Sequence, residues 1–117
     1  MQAKELVGDE RIALCGLVFY MMRADHVETA EERQELLALA TEIGPDVFNV
    51  AMKAAKDRFQ TEDDALAFGA ERVVRAQARA LIHTMLVDMA QSDWLSRDEQ
   101  PLLRAVARMW GLVDLHG

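Results

Sequence analysis

The chain has 117 residues, of which 51% are hydrophobic and only two are proline, and its formal net charge is −7. That length carries one hydrophobic core without metal or disulfide staples, and the composition is that of a globular domain rather than a disordered one. The acidic balance argues against a broad electrostatic grip on nucleic acid or anionic lipid; it suits cations, basic partner segments or plain solubility.

Alanine, leucine, methionine, glutamate and arginine dominate, while valine and isoleucine rarely alternate, so helices are expected throughout. Residues 1–8 read as a loose lead-in and 9–117 as a single helical domain. The first helix is expected over residues 9–24, with Ile12, Cys15, Phe19 and Met22 on one face and Leu14, Leu17, Val18 and Met21 on the others. A helix apolar nearly all round is a central one. Its apolar run, Ile12 to Met22, is too short to span a bilayer. Glu5, Asp9 and Glu10 precede it and no small-residue cleavage site follows, so no secretory signal is expected and a cytoplasmic protein is. The single cysteine, Cys15, excludes an internal disulfide, suits a reducing compartment and reads as a buried thiol.

Thr29 caps the second helix, with Glu32 as its capping-box partner and Leu36, Leu39, Ala40 and Ile43 as its stripe. Gly44-Pro45 stops it. The third helix, residues 46–58, points Phe48, Ala51, Met52, Ala55 and Phe59 inward, and Lys53, Lys56 and Arg58 to water near its C-terminal half. Thr61-Glu62-Asp63-Asp64 opens a short helix to about Phe68, interrupted near Gly69. Its carboxylates are read as capping and dipole complementation in preference to a cation site.

A long helix is expected over residues 70–90, with Val74, Leu81, Ile82, Met85, Leu86 and Met89 inward and Arg72, Arg75 and Arg79 on a solvated outer side. His83 reads as a surface or partly buried histidine. Ser96 and Glu99 form a capping box for the last helix, whose stripe is Leu102, Val106, Met109 and Trp110. Pro101, one turn in, should loosen that turn. Gly111 ends the helix, and Leu112, Val113 and Leu115 can fold back onto the bundle. The predicted fold is therefore all-α, a compact bundle of about six to seven helices.

Placing Glu32 over Glu99 sets a register of 67 residues that also superposes Thr29 on Ser96, Leu36 on Leu103, Ala40 on Ala107 and Gly44 on Gly111. Each copy reads as a buried helix, an acidic turn, a capped amphipathic helix and a glycine stop, so the bundle is expected to consist of two pseudo-repeated hairpins. At this point the chain resembles the tellurite-resistance TerB-like family. That family's twice-repeated hallmark is Ala-Asp-Gly, one variable residue, an aliphatic, Ser or Thr, two variable residues, then Glu. The first copy matches at Ala24, Asp25, Thr29 and Glu32; it carries His26 in place of glycine and Glu28 in place of the aliphatic, with Val27 one place early. The second matches at Leu95, Ser96 and Glu99, with Gln91, Ser92 and Asp93 where Ala, Asp and Gly would stand. The resemblance extends over roughly residues 9–113, including Trp110-Gly111-Leu112. It implies an all-helical fold with the two acidic turns near one another, a role in stress responses linked to toxic oxyanions, phage or metal ions, an acidic cation site, and docking beside membrane-bound partners.

A hard cation such as calcium needs about six to eight converging oxygens. Asp25, Glu28 and Glu32 from the first turn, Asp93 and Glu99 from the second, and Asp88 one helical turn earlier are the expected metal ligands. Against this stand the capping duties of Glu32 and Glu99 and the absence of an EF-hand loop. Trp94, a large aromatic in a polar turn, either plugs the gap between hairpins or anchors a partner together with His26 and Asp93. Met21, Met22 and Met89 are candidates for an adaptable groove among otherwise core methionines. No nucleophile–base pair, phosphate loop or His-Glu-x-x-His pattern is present in the sequence, so no enzyme activity is expected. The leading expectation is binding of a protein partner, soluble or membrane-associated, or of a second copy in a homodimer; the alternative is a divalent-cation sensor.

Overall fold

The computed structural model describes residues 1–23, 30–90 and 100–112, which form six α-helices and, among the described residues, no strand. They are α1 (Gly8–Arg23), α2 (Ala30–Ile43), α3 (Pro45–Arg58), α4 (Glu62–Arg72), α5 (Ala76–Ala90) and α6 (Gln100–Trp110), preceded by a 3-10 turn, Ala3–Glu5.

The helix α1 is the axis of the molecule. Asp9 and Glu10 lie in its first turn and Arg23 in its last, charges that complement the helix dipole. Every residue from 13 to 18 is buried, so no face is left for water, and α1 packs against α3, α4 and α5. Gly16 makes this possible. A Cβ at that position would stand 2.5 Å from the Phe59 ring and 3.5 Å from the Ala65 methyl, so the absence of a side chain lets α1 approach that closely. Burying side chains such as Leu14, Leu17 and Met21 contributes about 1.5–3 kcal/mol each.

The N-terminal residues are tied down rather than loose. Ala3 and Leu6 are fully enclosed and the 3-10 turn packs on α2. Gly44, at φ 113°, then turns the chain from α2 into α3, where Pro45 occupies the first helical position and needs no hydrogen-bond partner for a missing N–H. Phe48, Ala51 and Ala55 of α3 face the core.

The helix interruption expected at Gly69 lies elsewhere. The helix α4 runs on through Gly69 to Arg72, and the break falls at residues 73–75. Gly69 is a contact point: a Cβ there would lie 3.3 Å from Met109 Cε and 3.4 Å from Trp110, and the Trp110 indole N–H donates to the Gly69 carbonyl at 3.1 Å. Val73 is buried at the break, whereas Val74, expected inward, is 71% exposed. The arginines expected on one solvated stripe are separated by the break and take different partners. Arg79 Nε donates to the Val73 carbonyl at 2.6 Å, Arg72 lies 3.7 Å from Asp9, and Arg75 reaches α1.

The last helix presents Leu102, Val106, Ala107 and Trp110 to α4 and α5. Pro101 lies next to the described start of α6, and the Ser96 cap expected before it falls outside the described residues. At the other end Leu112 N–H bonds back to Ala107 O at 2.7 Å and Gly111 N–H to Arg108 O at 3.3 Å, with Gly111 at φ 66°. This is a Schellman stop, and Leu112 packs against the core as expected. Val113 and Leu115 lie outside the described residues.

Candidate functional site

The acidic turns predicted as the site join α1 to α2 and α5 to α6. Of the residues proposed there, Asp25, His26 and Glu28 in the first turn, and Asp93, Trp94 and Glu99 in the second, lie outside the described residues, as do the caps Thr29 and Ser96. Glu32 falls within the first turn of α2, its side chain outside the description. Asp88 is exposed on α5, in the last turns before the second acidic segment. The two helices that lead into the turns, α1 and α5, pack against each other. Among the described residues no group of three or more histidine, cysteine, aspartate or glutamate side chains is arranged to hold a metal ion.

The elements framing these turns carry their own geometry. Met21 and Met89, expected as part of an adaptable groove, are 0% and 4% exposed, so they fill the core and cannot hold a partner helix; Met22 is half-buried. Beyond the first turn, α2 and α3 bound a groove of about 450 Å³. Leu36, Leu37, Ala40 and Phe48 line it, with Arg33, Gln34 and Asn49 at its edge. Leu37 is 71% exposed, a large apolar side chain held in water one and a half turns after the acidic segment. On the other flank of α3, Val50 is equally exposed and Val47 partly so, beside a second apolar groove against Gly8 and Ile12.

The remaining acidic cluster is structural. Thr61 Oγ1 accepts from Asp64 N–H at 3.2 Å, while the Asp64 carboxylate accepts from Thr61 N–H at 3.1 Å and Gln60 N–H at 3.0 Å. Asp64 thereby completes a capping box, as its spacing predicts. Burial, with some help from the Asp63 charge, raises the Glu62 carboxyl above its ordinary value.

One site was missed from the sequence. Glu10 is 3% exposed, and its carboxylate receives Arg75 Nε at 2.8 Å, Arg75 Nη2 at 2.6 Å and the Val7 N–H at 2.8 Å. Arg75 Nη2 also donates to the Glu5 carbonyl at 3.2 Å. The Arg75 hydrogen bonds hold the Glu10 carboxyl below its ordinary value against the opposing effect of burial; the Glu10 hydrogen bonds in turn raise Arg75. The pair clamps the 73–75 break to the start of α1. The partners are 65 residues apart in sequence, and the only local hint was an acid opening an apolar helix.

Cys15 is fully buried, and burial pushes its thiol up to about 12, which leaves it inert at neutral pH. His83, expected at the surface or partly buried, is buried on α5. No helix among the described residues is long and apolar enough to cross a membrane.

A family model described as tellurite resistance protein TerB matches residues 11–115. The chain belongs to the TerB family. That match takes in α1 from Arg11 onward and all of α2 to α6, so the helical frame falls within one family pattern. No curated protein and no solved structure matches the chain significantly.

Proposed function

We propose that this TerB-family domain is a non-catalytic docking module of the tellurite-resistance stress response. It binds a protein partner through its acidic turns and the α2 surface that continues from the first of them. The observation that carries this reading is Leu37. Leu37, 71% exposed, joins Leu36, Ala40 and Phe48 in lining one groove, so together they offer an apolar surface that a partner's apolar face would cover. With carboxylates from Asp25, Glu28 and Glu32 preceding it in sequence, this surface suits an amphipathic segment with a basic flank. Trp94, with His26 and Asp93, is assigned to the same recognition surface. A membrane-associated partner would bring the domain to a membrane periphery without insertion.

The test is partner capture by the intact chain. Leu37→Arg and Trp94→Ala are expected to lose a partner that the native chain retains, with melting temperature unchanged for Leu37→Arg; equal capture by native and both variants would reject the reading.

A second reading is favoured by Asp88, which is exposed and makes no ion pair with another described residue. It makes the domain a divalent-cation sensor, with Asp25, Glu28, Glu32, Asp88, Asp93 and Glu99 supplying oxygen ligands for an ion such as calcium. A micromolar site would raise the melting temperature measurably at millimolar metal relative to a chelator. No shift with calcium, magnesium, manganese or zinc removes this alternative.

A further inference from the structure

At the C-terminal ends of α1 and α3, Arg23 and Lys56 gather on one aromatic ring. The Phe19 ring is edged by Tyr20, with centroids 5.1 Å apart, and two cations share it: Arg23 Cζ lies 5.3 Å and Lys56 Nζ 5.4 Å from its centroid. Two residues on, Arg58 Cζ lies 4.9 Å from the centroid of Phe68, which in turn packs on Phe59. Arg23, Lys56 and Arg58 are all exposed, and none of them is ion-paired with another described residue. Their neighbours differ in this respect. Lys53 is paired with Asp57 at 3.7 Å, and Arg72 with Asp9 and Glu71.

Complementing the helix dipole accounts for a cation at each helix end. It does not account for two cations gathered on one ring, where each repels the other, in a chain with 20 acidic and 13 basic side chains available for pairing. The aromatic faces hold the cations in place. A carboxylate arriving there would meet charges already positioned, and so would lose less entropy on binding.

We infer that Phe19, Arg23 and Lys56 form a docking face for an acidic, carboxylate-rich peptide segment of a protein partner. Anionic membrane is the poorer fit. Recognition by electrostatics alone takes clusters of about four to eight basic residues, and weaker clusters need an apolar anchor. Among the described residues, the large exposed apolar side chains are Met1, Val7, Leu37, Val47, Val50 and Val74, none of them in the segments that build this face. The face uses residues distinct from the acidic turns and opposite in charge, so it stands or falls separately from the docking function proposed above.

The test is fluorescence polarisation with a short fluorescein-labelled peptide of alternating glutamate and glycine, against a glutamine-glycine control. The intact chain is expected to bind the acidic peptide only, with affinity falling as salt rises. The pair Arg23→Glu and Lys56→Glu should weaken binding about tenfold or more. Arg104→Glu with Arg108→Glu, the same change in net charge at exposed positions of α6, should leave it unchanged, as should Asp25→Asn with Asp93→Asn. If the first pair unfolds the chain, Arg23→Gln with Lys56→Gln replaces it, with about a threefold loss expected. Absence of acidic-peptide binding, or equal losses from both arginine-containing pairs, overturns the inference. So does binding to phosphatidylglycerol vesicles without binding to the peptide, which would assign the face to lipid.

Discussion

The helices α2 and α6 occupy matching places in the 67-residue register, yet they are packed differently. Leu39 and Val106 correspond and are 5% and 0% exposed; Ile43 and Trp110 correspond and are both 7% exposed. Each helix ends in a glycine at positive φ, Gly44 and Gly111. There the likeness stops. The α6 helix is pinned between α4 and α5 by the Trp110–Gly69 hydrogen bond, and it buries Leu102 where α2 has the half-buried Glu35. The main neighbours of α2 are α3 and the N-terminal turn, and its Leu37 stands in water where α6 has Arg104. Among the described residues, α6 thus leaves no large apolar side chain standing in water, whereas α2 leaves Leu37. The docking surface proposed above uses α2.

Substitutions can sharpen that contrast. The largest effect is expected at the pin: Trp110→Ala should cost about 4 kcal/mol in denaturant unfolding, against about 2 kcal/mol for Ile43→Ala at the matching place. Equal costs would mean that the two helices are held alike. Gly16→Val should cost about 3 kcal/mol by forcing α1 off the Phe59 ring, measured the same way. Glu10→Ala should cost about 2 kcal/mol, because it removes the charge-assisted bonds that anchor the 73–75 break. The same group sets a pH dependence. Its carboxyl is lowered in the fold, so its contribution is fully present above its ordinary value of 4.5 and is lost as pH falls through the folded value. Melting curves taken from neutral to acid should show a steeper loss of stability below about pH 4.5 in the native chain than in Glu10→Ala. The smallest stability effect is expected for Leu37→Arg, within about 0.5 kcal/mol, since an exposed position is merely given the residue type of its counterpart.

What could be read from the sequence divides by the range of the interaction. The central position of α1 was legible because its apolar residues leave no polar face, and the start of α4 because Thr61 and Asp64 cap each other at a separation of three. Gly69 was misread as a helix breaker because its purpose lies in Trp110, 41 residues away. Arg75 was assigned to solvent because nothing near it in sequence announces Glu10. The family was legible in the acidic motifs and the helices between them. Of the candidate site's residues Asp88 alone has a described side chain, and the exposure of Leu37 beside the first turn had no sequence signal, since its helical stripe predicted only which neighbours were buried.

The central claim is that α2, with Leu37 uncovered, is the helix that binds. Quantitative co-purification from cells producing the native chain, Leu37→Arg or Arg104→Leu, with matched melting temperatures, tests it most directly. The account predicts a partner retained by the native chain and by Arg104→Leu and lost from Leu37→Arg. Retention by Leu37→Arg, or loss from the α6 variant instead, would contradict it.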